Sequence, residues 1–237
     1  MWILRSQQPD PPSLLSKGSV NTPLAGETKH LGVQITSKLS WSSHIRSVIA
    51  RTNHKAYTLM RLAHRCRANA FVRKMYLGLL RPVLEYASPV WDSCLKADAV
   101  ALERVQLAIA RAILHMSRSH ESNRDVLQTI GWPTLAWRRR RYKLLLLWKL
   151  LHGDGPPPLQ DHIPATAAMR TSYSLRNRLN LAFPMCSTQR RLKTFLPSAT
   201  GIWNSLPTSV SSCSSVGSFL RHLDSHFSSD KFSLGLP

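Results

Sequence analysis

The sequence predicts a mainly α protein: a helical bundle, a few short β-strands ahead of it and an irregular carboxy-terminal tail behind. Three observations support this class. Apolar residues recur every three or four positions through the middle of the chain, strand-like alternation is confined to the start, and Gly/Pro/Ser-rich stretches crowd the last third.

Taken in order, Trp2-Ile3-Leu4 reads as a strand that Pro9 to Pro12 breaks, and Leu31 to Ile35 alternates well enough for another. Pieces this small complete no sheet, which gives the expectation that the chain starts inside a larger domain. Ser40 can cap a helix in which Ile45, Val48, Ile49, Ala56, Leu59, Met60 and Ala63 hold one apolar face. Arg46, Arg51, Lys55, Arg61 and Arg65 lie largely off that face. Phe71, Met75 and Leu79 then follow at four-residue intervals, and Pro82 should kink or end their helix near Arg81, because proline has no amide proton to give. After Asp98, Leu102, Val105, Ile109, Ala112 and Met116 mark a third helix. Pro133 stands where helices start, and the leucines between Trp137 and Leu151 predict a helix buried on more than one side. Gly153 to Pro158 ends it as a linker. Beyond lie short strands or turns, a serine-rich surface loop over Ser209 to Ser218, and a last amphipathic helix near Val216 to Phe227. The resulting division is strands over 1–40, helices over 41–152, a Gly/Pro linker over 153–165 and a basic region over 166–237.

Charge narrows the partners. The 237 residues carry 32 Lys and Arg against 12 Asp and Glu, a formal net charge of +20. Such a chain repels itself unless something acidic lies against it, and nucleic acid is the commonest such partner. A ribosome-like or merely soluble basic protein is the plainer alternative. With 43% hydrophobic residues, wholesale disorder is excluded. Cys66, Cys94, Cys186 and Cys213 show no regular spacing, so the cysteines read as reduced and the setting as intracellular, cytoplasmic or nuclear. The longest apolar run, Leu144 to Trp148, is far below the ~18 residues of a membrane span, and no membrane partner is expected.

The search for catalytic groups yields none. Two-metal phosphoryl chemistry needs clustered carboxylates, yet no two acidic residues are adjacent and no Asp-x-Asp occurs. Glu121 and Asp125 could share a helix face, as surface pairs do. Nucleophile elbow, Walker loop and His-Glu-x-x-His are all missing. His222 and His226, with Cys213 upstream, offer three possible zinc ligands but no evident fourth, so no metal, cofactor or small-molecule substrate is assigned.

Basic clusters are plentiful. Arg138, Arg139, Arg140 and Arg141 are consecutive, with Lys143 and Lys149 behind them. Steps of ~100° spread four successive residues around a helix, so some must point toward neighbours or a partner. Arg170, Arg176, Arg178, Arg190, Arg191 and Lys193 form a second group beside Tyr173, Phe183 and Phe195. Cations beside aromatics suit a nucleic-acid strand, whose phosphates pair while its bases stack. A solvated charged face over core aromatics fits that group equally well.

Five ordered landmarks carry a family resemblance. They are Lys29-His-Leu-Gly-Val33 with Leu39-Ser-Trp41 and His44-Ile45; Leu80-Arg-Pro-Val-Leu-Glu-Tyr-Ala-Ser-Pro-Val-Trp-Asp92; Leu102-Glu-Arg-Val-Gln106 with Ala110-Arg-Ala-Ile-Leu114; Gly131-Trp-Pro-Thr-Leu135; and Phe195-Leu-Pro through Trp203-Asn-Ser-Leu-Pro207, with Ser215-Val and Ser218-Phe219 behind. Together they resemble the end of a LINE-type, non-LTR (jockey-like) retrotransposon reverse transcriptase. The resemblance implies a palm-to-thumb junction followed by a helical thumb. It implies a primer-grip-like role for Leu31, Gly32 and Val33, and a surface for RNA or an RNA–DNA hybrid that includes Arg46, Arg51 and Lys55. The family's RNA-directed DNA polymerase activity resides in an Asp-Asp loop that would lie upstream of the first landmark, so no catalytic residue is carried over. Three expectations follow: a non-catalytic nucleic-acid-binding module, a piece of a complete polymerase, or a relic without function. Oligomeric state is left open.

Overall fold

A computed structural model describes residues 14–17, 20–23, 25–66, 69–116, 121–166 and 179–233. The protein is mainly α, with a few short strands near its amino terminus. Trp2 to Leu4, and the stretch 167–178 with Arg170, Tyr173, Arg176 and Arg178, lie outside the described residues. Among the described residues no helix is long and apolar enough to cross a membrane. The chain divides into two compact units, 1–84 with 94–109, and 85–93 with 110–237.

In the first unit, β1 (Leu14–Lys17) and β2 (Val20–Pro23) form one antiparallel pair, and β3 (Glu27–His30) and β4 (Val33–Thr36) another. The β3–β4 turn is only Leu31-Gly32, with φ of 46° and 84°. Two positive φ values are what a two-residue turn needs to match the right-handed twist of its strands. Leu31 is therefore a turn residue rather than the first residue of a strand, and 77% of its surface is exposed.

Helix α1 (Ser42–Cys66) buries Ile45, Val48, Thr52, Ala56, Leu59 and Ala63 along one line and packs on β4, α2 (Asn69–Met75) and a π turn (Tyr76–Leu80). Ser40 lies ahead of its start. The Ser40 amide donates to Thr36 Oγ1 at 2.8 Å, closing the loop instead of capping the helix. Pro82 does not end the next helix: α3 (Arg81–Glu85) continues past it. The π turn just before, where the Arg81 amide bonds the Tyr76 carbonyl, widens the backbone so that the missing proline donor is absorbed. The buried row there is Val72, Tyr76 and Leu80, while Phe71 and Leu79 are exposed.

Helix α5 (Lys96–Leu114) starts two residues before Asp98, whose carboxylate accepts a 2.6 Å bond from Ser42 Oγ. Across its buried side, Tyr76 Oη donates to Gln106 Oε1 at 2.5 Å and Gln106 Nε2 donates to Glu103 Oε1 at 2.9 Å. Such a polar chain is tolerable in a core only when its members satisfy one another.

The second unit is built on α7 (Leu135–Leu151), after α4 (Ser88–Trp91) and α6 (Asn123–Ile130). Thr134 caps α7 by accepting from the Trp137 amide at 3.1 Å. Short helices α8 (Pro157–Gln160), α9 (Gln189–Leu192) and α11 (Thr208–Ser211) and longer ones α10 (Phe195–Asn204) and α12 (Val216–His226) complete it. Leu144, Leu147 and Trp148 share a core with Leu181, Ala199, Trp203, Leu206, Val210, Phe219 and Leu223. Sequence periodicity groups α7 with the helices before it, but its apolar face belongs to this later core. α10 is hidden in sequence by Pro197, Ser198 and Gly201. Proline is harmless there because the first turn of a helix has no intrahelical partner for its amide. The serine-rich stretch is not all surface: Val210, Ser211 and Cys213 are buried.

Candidate nucleic-acid interface

Helix α1 contains five cationic side chains, Arg46, Arg51, Lys55, Arg61 and Arg65, and not one carboxylate in its 25 residues. At ~100° per residue Arg46, Arg61 and Arg65 fall on the half of the helix opposite Ile45, Val48 and Ala63, with Arg51 at its edge and Lys55 on the flank beside Val48. All five are exposed. Among the described residues Arg46 and Arg51 bond backbone carbonyls of their own helix, those of Ser42 and Ser47, both at 3.4 Å. No carboxylate pairs with any of the five among the described residues. Arg51 to Arg65 spans roughly 21 Å of helix axis. Exposed His54 and Tyr57 lie within the same half, and the Arg61 guanidinium sits 5.8 Å from the centroid of the Tyr57 ring. At the other edge of α1, His44 is buried and accepts from the Gln34 amide at 3.3 Å. Burial, and then the charge of Arg51, lower its pKa below the ordinary 6.5.

The arginine run is arranged differently. Arg138 faces Glu85 at 3.4 Å, Arg139 bonds Asp92 at 2.8 Å, Arg140 meets Asp230 at 3.0 Å, and Lys143 reaches Asp92 at 2.5 Å. Arg141 grips Asp224 with two bonds, at 2.6 and 3.1 Å. Lys143 also donates to Ser198 Oγ at 2.8 Å. Arg139 is 4% and Lys143 5% exposed, so neither belongs to an open basic surface. This revises the expectation for these two residues. The cause is a set of carboxylates far away in sequence that the fold brings to the helix. Burial would raise the Asp92 carboxyl, but Lys143 and Arg139, by charge and by hydrogen bonds, hold it below its usual value.

Glu85, Trp91 and Asp92 all lie in the longest of the sequence landmarks. Trp91 is buried, donates from Nε1 to the Tyr86 carbonyl at 2.7 Å and lies 5.6 Å beneath the Arg139 guanidinium. Ala87, with φ of 52°, makes the tight turn that brings this segment back. The landmark is thus a structural clasp on α7. Trp203-Asn204 acts similarly, since the Asn204 amide exchanges hydrogen bonds of 2.8 and 2.9 Å with the Leu181 backbone.

The remaining expected residues are scattered. Arg190, Arg191 and Lys193 are exposed on and just after α9, with no carboxylate partner among the described residues. Of Leu31, Gly32 and Val33, the first two form the exposed turn and Val33 is buried at 6%. Cys213 Sγ lies 3.1 Å from His222 Nδ1. Among the described residues no three His, Cys, Asp or Glu side chains are grouped to hold a metal. Arg61, Arg65, His54 and Tyr57 join the α1 face although the sequence reading leaves them out of the binding set; the helical period carries the signal that places them there. Comparison with family models, curated proteins and solved structures finds no match to this chain.

Proposed function

We propose that the chain binds the phosphate backbone of a nucleic acid, RNA or an RNA–DNA hybrid, through the exposed face of α1. The observation that carries this reading is the one-signed charge of that face: five cations, no carboxylate in the helix, and no intramolecular ion pair among the described residues. Unneutralised cations on a rigid rod attract a polyanion by releasing its condensed counterions, with little dependence on base sequence. The same five ordered landmarks support a wider reading, in which the chain is the thumb and post-thumb part of a LINE-type reverse transcriptase-like protein. On that reading α1 would follow the template–primer.

The test is fluorescence anisotropy with labelled RNA and RNA–DNA hybrid across a salt series. Replacing Arg51, Lys55, Arg61 and Arg65 by Gln should weaken binding on all sequences alike. It should also flatten the slope of log K against log salt by about 0.7 to 0.9 for each phosphate no longer neutralised. Replacing Arg140 and Arg141 should leave that slope intact. The opposite pattern, or wild-type binding with no salt dependence, overturns the assignment to α1.

A further inference from the structure

The basic face of α1 carries a tyrosine, Tyr57, whose placement points to a feature of the ligand beyond charge. Tyr57 is 59% exposed in the middle of the helix. Asn53 and His54 lie one turn before it and Arg61 one turn after, all exposed. The ring is not recruited by the fold: no hydrogen bond to its hydroxyl exists among the described residues, and its neighbour is the Arg61 guanidinium at 5.8 Å from the centroid. A planar ring beside a guanidinium and open to solvent, set among phosphate-binding cations, is the arrangement that holds an unpaired base by stacking while its flanking phosphates are neutralised.

We infer that Tyr57 is a base-stacking residue, so that the α1 face prefers nucleic acid with at least one unpaired nucleotide over an equally charged duplex. The inference rests on the proposed nucleic-acid binding by α1 and deepens it. Phosphate contacts alone favour the ligand of highest charge density. Stacking adds affinity only where a base is free to leave its neighbours, and duplex bases are not.

The experiment compares the full chain with Tyr57→Phe and Tyr57→Leu by anisotropy. The probes are a 15-nucleotide single-stranded RNA, an abasic deoxyribose-phosphate oligomer of the same length, and a blunt RNA–DNA hybrid. Tyr57 is exposed, so circular dichroism of both variants should match wild type. The expected result is a loss of roughly 5- to 150-fold for Tyr57→Leu on the single strand, the size of one stacked base. Tyr57→Phe should stay near wild type, and Leu should leave the abasic oligomer, the hybrid and all salt slopes unchanged. Equal loss on the abasic oligomer, or no loss on the single strand, overturns the inference while leaving phosphate binding intact. Absence of binding by the wild-type chain to all three probes defeats the proposed function itself.

Discussion

Asp92→Asn removes one negative charge from between two buried cations while keeping the side chain's volume. Arg139 at 2.8 Å and Lys143 at 2.5 Å would then face each other with no carboxylate between them. Removing one partner of a buried ion pair costs about 3–5 kcal/mol, because the charge left behind has neither water nor a counter-ion. A whole domain is stable by only ~5–15 kcal/mol, so much of the second unit's stability depends on this carboxylate. With a urea slope of about 2 kcal/mol per molar, the unfolding midpoint followed by tryptophan fluorescence should fall by roughly 1.5–2.5 M. Charge balance also fixes an order. The cluster holds two cations to one anion, so Lys143→Met and Arg139→Met should each cost less than Asp92→Asn. The triple change Asp92→Leu, Arg139→Met and Lys143→Met should recover most of the stability, since apolar groups of similar volume need no counter-charge. The pH dependence has a definite sign. A carboxyl held below its unfolded value of 3.8 contributes fully above that pH and loses its contribution as pH falls through the lower folded value. The gap between wild type and Asp92→Asn should therefore persist at pH 5 and close only below about pH 4. A cost under about 1 kcal/mol at neutral pH, or a triple variant no better than the single one, refutes the idea of a buried charge cluster.

Other outcomes are expected in the first unit and in the loop after α7. His44 is lowered below 6.5 by burial and by Arg51, so its neutral form favours the fold. Stability should be full above about pH 6.5 and decline as pH falls toward the folded value. His44→Gln should flatten that decline in urea titrations from about pH 8 to pH 5, and an unchanged slope would count against it. Leu31 holds φ of 46° at an exposed turn position that suits Asn far better than Leu. Leu31→Asn should stabilise the hairpin by about 0.5–1 kcal/mol, read as a rise in melting temperature; a fall would show that the side chain is held there by packing. Gly155 sits against Leu150, where an added Cβ would collide with its side chain and come within 3.2 Å of its Cα. Gly155→Ala should cost about 1–3 kcal/mol through overpacking, and a neutral effect would mean that Leu150 moves aside freely.

The sequence is most legible where one periodicity acts alone. α1, α5 and α12 follow from apolar spacing and α7 from its run of leucines, and the mainly α class follows with them. The boundaries near Ser40 and Pro82 are obscured because local chemistry has two outlets. Thr36 claims the backbone of Ser40, and a π turn absorbs the proline. For the arginine run, sequence shows four adjacent positive charges but not their partners. Glu85 and Asp92 on one side and Asp224 and Asp230 on the other lie tens of residues away, and nothing local announces which cation meets which anion. On α1 the helical period suffices, because a helix without any acidic residue cannot neutralise its own face.

The π turn over Tyr76–Leu80 has a consequence for insertions and deletions. Residues spaced strictly by four drift around an α-helix by ~40° at each step, so a long row of that spacing winds away from the surface it covers. A wider turn winds the chain back, which lets Val72, Tyr76, Leu80 and Leu84 all stay buried at that spacing. The row is thus a vernier with one correcting notch. Deleting Gly78 would erase the notch and leave seven residues from Val72 to Leu80 and eleven to Leu84, intervals that a regular helix winds to within ~20° of Val72's own direction. A missing codon here would therefore keep the buried row on one face, and Gly78 itself is exposed with open space around it.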